Sequence, residues 1–156
     1  MQQMFEEIHK TLGKRFQEPI TVASFSSSKD EIVQVDELDP DIQNLIVFDD
    51  FVTEKDQKLI EDLFMRGRKK NISLIYVTQS YFSTPKDIRL QCNYFVFFNL
   101  LNKREMLQIQ MDHAAELGKQ VFMQLYGHAI QDTHDFLLID KKTKVRSLRY
   151  RKNFGA

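Results

Sequence analysis

At 156 residues the chain can bury one core and is too short for two independent ones, and 42% hydrophobic residues with thirteen Phe and no Trp suit a folding sequence. No apolar run approaches the roughly 18 residues that span a bilayer, and the amino-terminal MQQMFEEIHK lacks the apolar stretch of a secretion signal, so an intracellular, non-secreted protein without a membrane partner is expected. Net charge is zero, yet residues 1–62 hold fifteen acids against six bases and residues 63–156 hold seven against sixteen; a polyanion would dock on the carboxyl-terminal part, and a merely dipolar surface explains the split as well.

Met4, Ile8 and Leu12, flanked by Phe5 and Phe16, predict an amphipathic helix over 3–16 before Pro19. ITVASF, residues 20–25, reads as a strand. The polar stretch that follows carries Pro40 and holds at most one short strand, Ile32 to Val35, so it is mainly a connection. NLIVF, residues 44–48, is a continuous apolar run of the kind expected when a strand is covered on both faces. Leu59, Ile60, Leu63 and Phe64 place a helix over 54–68 with Thr53 as N-cap. NISLIYVTQ, residues 71–79, is a second buried strand, which completes a strand–helix–strand unit with parallel strands.

YFVFF, residues 94–98, is a third apolar strand; helical spacing returns over 103–111 and 115–125; and HDFLLID and VRSLRYR flank the polar turn KKTK as a β-hairpin. There is no internal repeat. One α/β domain over residues 1–156 with a mainly parallel sheet is expected, residues 1–43 forming a less regular amino-terminal region.

The chemistry concentrates where the strands end. LIVFDD runs four apolar residues into Asp49 and Asp50, and ligands of open parallel sheets sit outside the carboxyl ends of the strands. Two adjacent carboxylates repel unless a cation joins them, and magnesium on a nucleotide is the common solution. This is the Walker B pattern, in which the first acid holds magnesium through water and the second orients the water that attacks the γ-phosphate. The plain alternative is that one of the pair caps the following helix. LIYVTQS ends in Thr78 and Gln79, an amide that both donates and accepts and so suits a γ-phosphate sensor or, equally, a strand-end hydrogen bond. In MRGRKKN, Arg66 and Arg68 flank Gly67 where a helix would stop; they complement the helix dipole, or one of them reaches a neighbouring subunit's phosphate.

LIVFDDF, MRGRKKNISLIYVTQSYFSTPKDIRLQCNYFVFF, FLLID and RYRKNF, taken in order, resemble the genome-packaging ATPases of poxvirus-type large DNA viruses, virophages and Polinton-type elements, in the FtsK/HerA branch of P-loop ATPases. The resemblance runs from about residue 30 to the end and is most specific over Arg66 to Phe98. It implies a three-layer P-loop core, ATP and magnesium as cofactors, and a ring-forming homo-oligomer that moves double-stranded DNA into a capsid, with capsid or portal contacts, in a virion or an infected cell. Carried onto this sequence it implies Asp49 for magnesium, Asp50 as catalytic acid, Thr78 beside the nucleotide, Gln79 as sensor, and Arg66 or Arg68 as the trans-acting finger. Arg89 matches a recurrent Ile-Arg position of unspecified role.

One departure outweighs these matches. A phosphate-binding loop needs Gly-x4-Gly-Lys-Ser/Thr. The only Gly-Lys pairs are Gly13-Lys14 and Gly118-Lys119; Ile8 and His113 stand where the first glycine belongs, and neither lysine precedes Ser or Thr. The Walker A strand and loop are therefore missing, and the chain is expected to be the carboxyl-terminal part of a longer protein, with little ATP hydrolysis of its own. In that case the strand at 94–98 is expected to pair directly with that at 72–78.

Other features are weaker. His9, His113, His128 and His134 show no metal-ligand spacing, and Cys92 has no base partner. The tail KKTKVRSLRYRK brings Lys141, Lys142, Lys144, Arg146, Arg149, Arg151 and Lys152 with no acid, which suits phosphate contacts or simply a charge-protected edge strand. Three functions stay open. The first is the Walker B and sensor half of a packaging ATPase. The second is a non-catalytic DNA-binding or subunit-interaction module derived from one. The third is a nuclease built on Asp49 and Asp50, disfavoured because no third acid appears at a matching strand end.

Overall fold

The structure, a computed structural model, describes residues 32–51, 57–100 and 102–155. The helix expected over 3–16, the strand over 20–25 and the Thr53 cap lie outside the described residues. The chain divides into two compact units, Met1–Thr78 and Gln79–Ala156.

In the first unit β1 (Asn44–Asp49) and β2 (Ile72–Val77) pair in parallel, Asn44 opposite Ile72 through Asp49 opposite Val77. The connecting helix α1 (Lys58–Arg66) lays Ile60 and Leu63, 0% and 1% exposed, on the face that holds Phe48 and Ile72. Each such side chain contributes about 1.5–3 kcal/mol of burial. Leu59 falls off this stripe and stays 44% exposed. Among the described residues the expected cover on both faces is not found either: Leu45, Ile75 and Val77, which share the opposite face by alternation, remain about half exposed.

The end of α1 also departs from expectation. Gly67 is right-handed at φ −58, the chain tightens into a 3-10 turn over Gly67–Lys70, and Asn71 at φ 51 makes the left-handed stop. Glycine at 67 answers a close approach instead, since a Cβ there would lie 3.2 Å from the Ile72 Cβ. The short strand expected at 32–35 is replaced by a 3-10 turn, Val35–Glu37, which buries Val35 and is closed by the Gln34 backbone N–H donating to Glu37 Oε2.

The second unit contains α2 (Lys86–Gln91), β3 (Tyr94–Phe97), α3 (Lys103–His113), α4 (Lys119–Ala129), β4 (Leu137–Asp140) and β5 (Tyr150–Lys152). Asn102 caps α3 by accepting from the Arg104 N–H at 2.9 Å. The last helix begins at Lys119 and not at Ala115, because Gly118 is extended and the preceding residues form a turn in which Leu117 N–H donates to Ala114 O.

The sheet order is β3-β4-β5, all antiparallel. The expected carboxyl-terminal hairpin is present as β4 and β5, but the mainly parallel sheet is not: among the described residues the only parallel pair is β1 with β2. The pairing expected of 94–98 with 72–78 joins residues of different units; within its own unit β3 registers against β4, Phe95 opposite Ile139 and Phe97 opposite Leu137. That pairing joins the apolar runs into one face over Ile109 and Phe122, with Leu137 and Ile139 fully buried.

Candidate functional site

Asp49 and Asp50 both sit, exposed, at the carboxyl end of β1. Asp49 registers with Val77, and the Asp50 N–H donates to Val77 O at 3.1 Å, so the carboxylate pair and Thr78 leave the same end of two adjacent parallel strands. Asp50 then turns out of the strand with φ 55, a left-handed conformation that Asp and Asn adopt more readily than other non-glycine residues. Tyr76 and Gln57, which sequence reasoning missed, stand close by. The Tyr76 hydroxyl donates to Gln57 Oε1 at 3.3 Å, and Gln57 Nε2 donates to Phe51 O at 2.7 Å. Burial raises the Tyr76 pKa, and the negative charge of Asp50 raises it further.

The two candidate arginines differ. Arg66 contacts both oxygens of Asp36 at 3.1 and 3.0 Å and donates to Asp62 at 2.8 Å, and the hydrogen bonds from Arg66 and then Lys70 hold the Asp36 carboxyl below its usual range. Arg68 is exposed and has no ion-pair partner among the described residues.

Gln79 opens the second unit as an exposed residue, and the next side chain, Ser80, donates to the buried Glu105 carboxylate on α3 at 2.5 Å. The basic tail is partly spent inside the chain. Arg149 pairs with Glu116 at 3.2 Å, Arg151 with Asp140 at 3.2 Å and Lys152 with Asp135 at 2.7 Å. Lys142, Lys144 and Arg146 are exposed around the turn without ion-pair partners among the described residues, and Lys141 lies beside β3. Burial pushes the Cys92 thiol up to about 11, the opposite of what a nucleophile requires.

Two exposed carboxylates at one strand end suit a hard cation held through water. Among the described residues no three His, Cys, Asp or Glu side chains converge on a common point. The grip for a triphosphate does not fit the described residues. Gly118-Lys119 follows a turn from a helix instead of a strand, which is the wrong setting for a phosphate-binding loop.

A comparison with solved structures gives the genome packaging NTPase B204 from Sulfolobus turreted icosahedral virus 2, determined in complex with ATP-gammaS, at a TM-score of 0.51 and 18% identity. The fold is similar to that of a viral genome-packaging NTPase. The likeness covers 70% of this chain and 53% of that one, so the chain spans about half the length of the NTPase it matches. No family model matches the chain, and no curated protein does.

Proposed function

We propose that the chain carries the magnesium-facing and sensor half of an ATP-driven motor that packages double-stranded DNA, of FtsK/HerA type and from a virus or a virus-derived element. The observation that carries this reading is Asp49–Asp50 at the common carboxyl end of parallel β1 and β2, with Thr78 beside them, in a fold similar to a packaging NTPase. In this reading residues 1–156 belong to one partial ATPase domain of three-layer P-loop type. Asp49 holds magnesium through water, Asp50 orients the attacking water, Thr78 lies against the nucleotide and Gln79 responds to the γ-phosphate. Magnesium, when bound, neutralises phosphate oxygens. Arg68 is the better trans-acting finger, because Arg66 would first have to leave two carboxylates of its own chain. The motor is a ring of copies, with capsid or portal components as further partners and a virion or infected cell as its place; among the described residues no helix is long and apolar enough to cross a membrane.

The second reading, a non-catalytic DNA-binding or subunit module, draws on the absent phosphate loop and on the exposed bases Lys142, Lys144 and Arg146. Magnesium-dependent ATP turnover by this chain and by Asp50→Asn separates the possibilities, since Asn tolerates the left-handed backbone at 50 and leaves the fold alone. Negligible turnover in both is expected. Turnover that Asp50→Asn removes would place a complete phosphate site within these 156 residues and end the half-site reading.

A further inference from the structure

A cleft of about 380 Å³ opens in the second unit between α2, α3 and the residue after β4. Its buried members are Tyr81 and His113, and its charged members are Lys86, Arg89, Asp112 and Lys141. Three cations face one carboxylate. That carboxylate is already engaged: Asp112 accepts from the Tyr81 hydroxyl at 2.6 Å, from Arg89 at 3.2 Å and from Gln108 at 2.9 Å. Because the single Tyr81 hydroxyl hydrogen goes to Asp112, the 2.8 Å contact with His113 has Nε2–H as donor, and His113 is the neutral tautomer with a bare Nδ1. Among the residues that line the cleft there is no second anion for the two ammonium groups.

Lys86 has no partner among the described residues, and Lys141 finds only Leu90 O at 3.4 Å and the Phe95 ring at 5.5 Å. Arg89 is held in place, its guanidinium 4.5 Å over the Tyr81 ring and tied to Asp112, while its Nε–H is shielded and has no acceptor. A fixed guanidinium flanked by two unspent ammonium groups is an arrangement for a multiply charged oxyanion, and phosphate offers both the charge and the acceptor oxygens. We propose that this cleft binds a phosphate group, with Lys86 and Lys141 supplying the charge and Arg89 the oriented donor. The source is either free phosphate and its small esters or the backbone of a nucleic acid. The proposal rests on the second unit alone and stands or falls independently of Asp49 and Asp50.

The test is a titration of the isotopically labelled full chain with inorganic phosphate and, separately, with a short DNA duplex, read from backbone amide shifts. Shifts are expected at Lys86–Leu90, Asp112 and Lys141. The double variant Lys86→Gln/Lys141→Gln should weaken binding by about tenfold or more, as expected for two lost charge-assisted contacts. Lys103→Gln, which removes an exposed charge outside the cleft, should leave phosphate binding as it was. Weakening seen with phosphate assigns the site to the free anion, and weakening seen only with the duplex assigns it to nucleic-acid backbone; both support the proposal. Shifts confined to residues 142–146, binding by the Lys86/Lys141 variant equal to the unsubstituted chain, or no shift with either probe would overturn it.

Discussion

Phe122→Ala is expected to lower the unfolding free energy of the 79–156 unit by about 3–5 kcal/mol. Phe122 is 1% exposed on α4, stacks on Tyr126 at 6.3 Å between ring centres, and belongs to the cluster that holds Ile109, Leu137 and Ile139. Removing the ring loses its transfer energy and leaves a void that this close-packed layer fills only partly. For a domain whose whole stability is about 5–15 kcal/mol, that is a large share. Urea unfolding, followed at the backbone amides of Leu137–Asp140, reads it directly. A midpoint shift worth less than about 1 kcal/mol would show that α4 does not pack on the sheet as described.

The stability of the same unit should fall as pH drops from about 6.5 to about 4, by an amount on the order of 3 kcal/mol. His113 is 6% exposed, with its ring 3.9 Å from that of Phe95. Burial lowers its pKa to about 4, the charge of Lys141 adds to this, Asp112 opposes it, and Arg89 and Arg149 push it further down. The folded state therefore refuses a proton that the unfolded chain accepts from about pH 6.5 downward, and stability declines until both states are protonated. His113→Gln keeps an N–H for Tyr81 without a titrating group, so its unfolding midpoints should be nearly flat across this window. Parallel profiles for the two chains would remove His113 as the cause. Asp135 acts in a different range: hydrogen bonds from Lys152 and then Asn153 hold its carboxyl well below the usual value, so its contribution is lost only in stronger acid.

The strands were legible because their apolar runs are short, bounded by polar residues and dense in Ile, Val and Phe; β1, β2 and β3 lie within one or two residues of where the sequence puts them. Their partners were not. An apolar run states that a strand is buried, not which neighbour buries it, and nothing in YFVFF announces its antiparallel pairing with the hairpin strand β4. Six residues at Lys86–Gln91 carry too little periodicity to announce a helix, so α2 went unread. Asp49 and Asp50 stood out as adjacent acids after an apolar strand, whereas the turn of Asp50 into φ 55 leaves no trace in composition. Arg66 shows the same division. Its partner Asp62 is four residues back on the helix and could be counted, but Asp36 comes from a 3-10 turn thirty residues away. The cleft was invisible for that reason too, since it draws on residues from Tyr81 to Lys141.

The measurement closest to the central claim is a titration of the isotopically labelled chain with manganese, a paramagnetic stand-in for magnesium, followed by the loss of backbone amide signals. The account predicts that Asp49, Asp50 and Thr78 broaden first and together, and that Asp49→Asn and Asp50→Asn each raise the manganese concentration required. Broadening that begins at the Asp36 and Asp62 carboxylates while the ends of β1 and β2 stay sharp would contradict it.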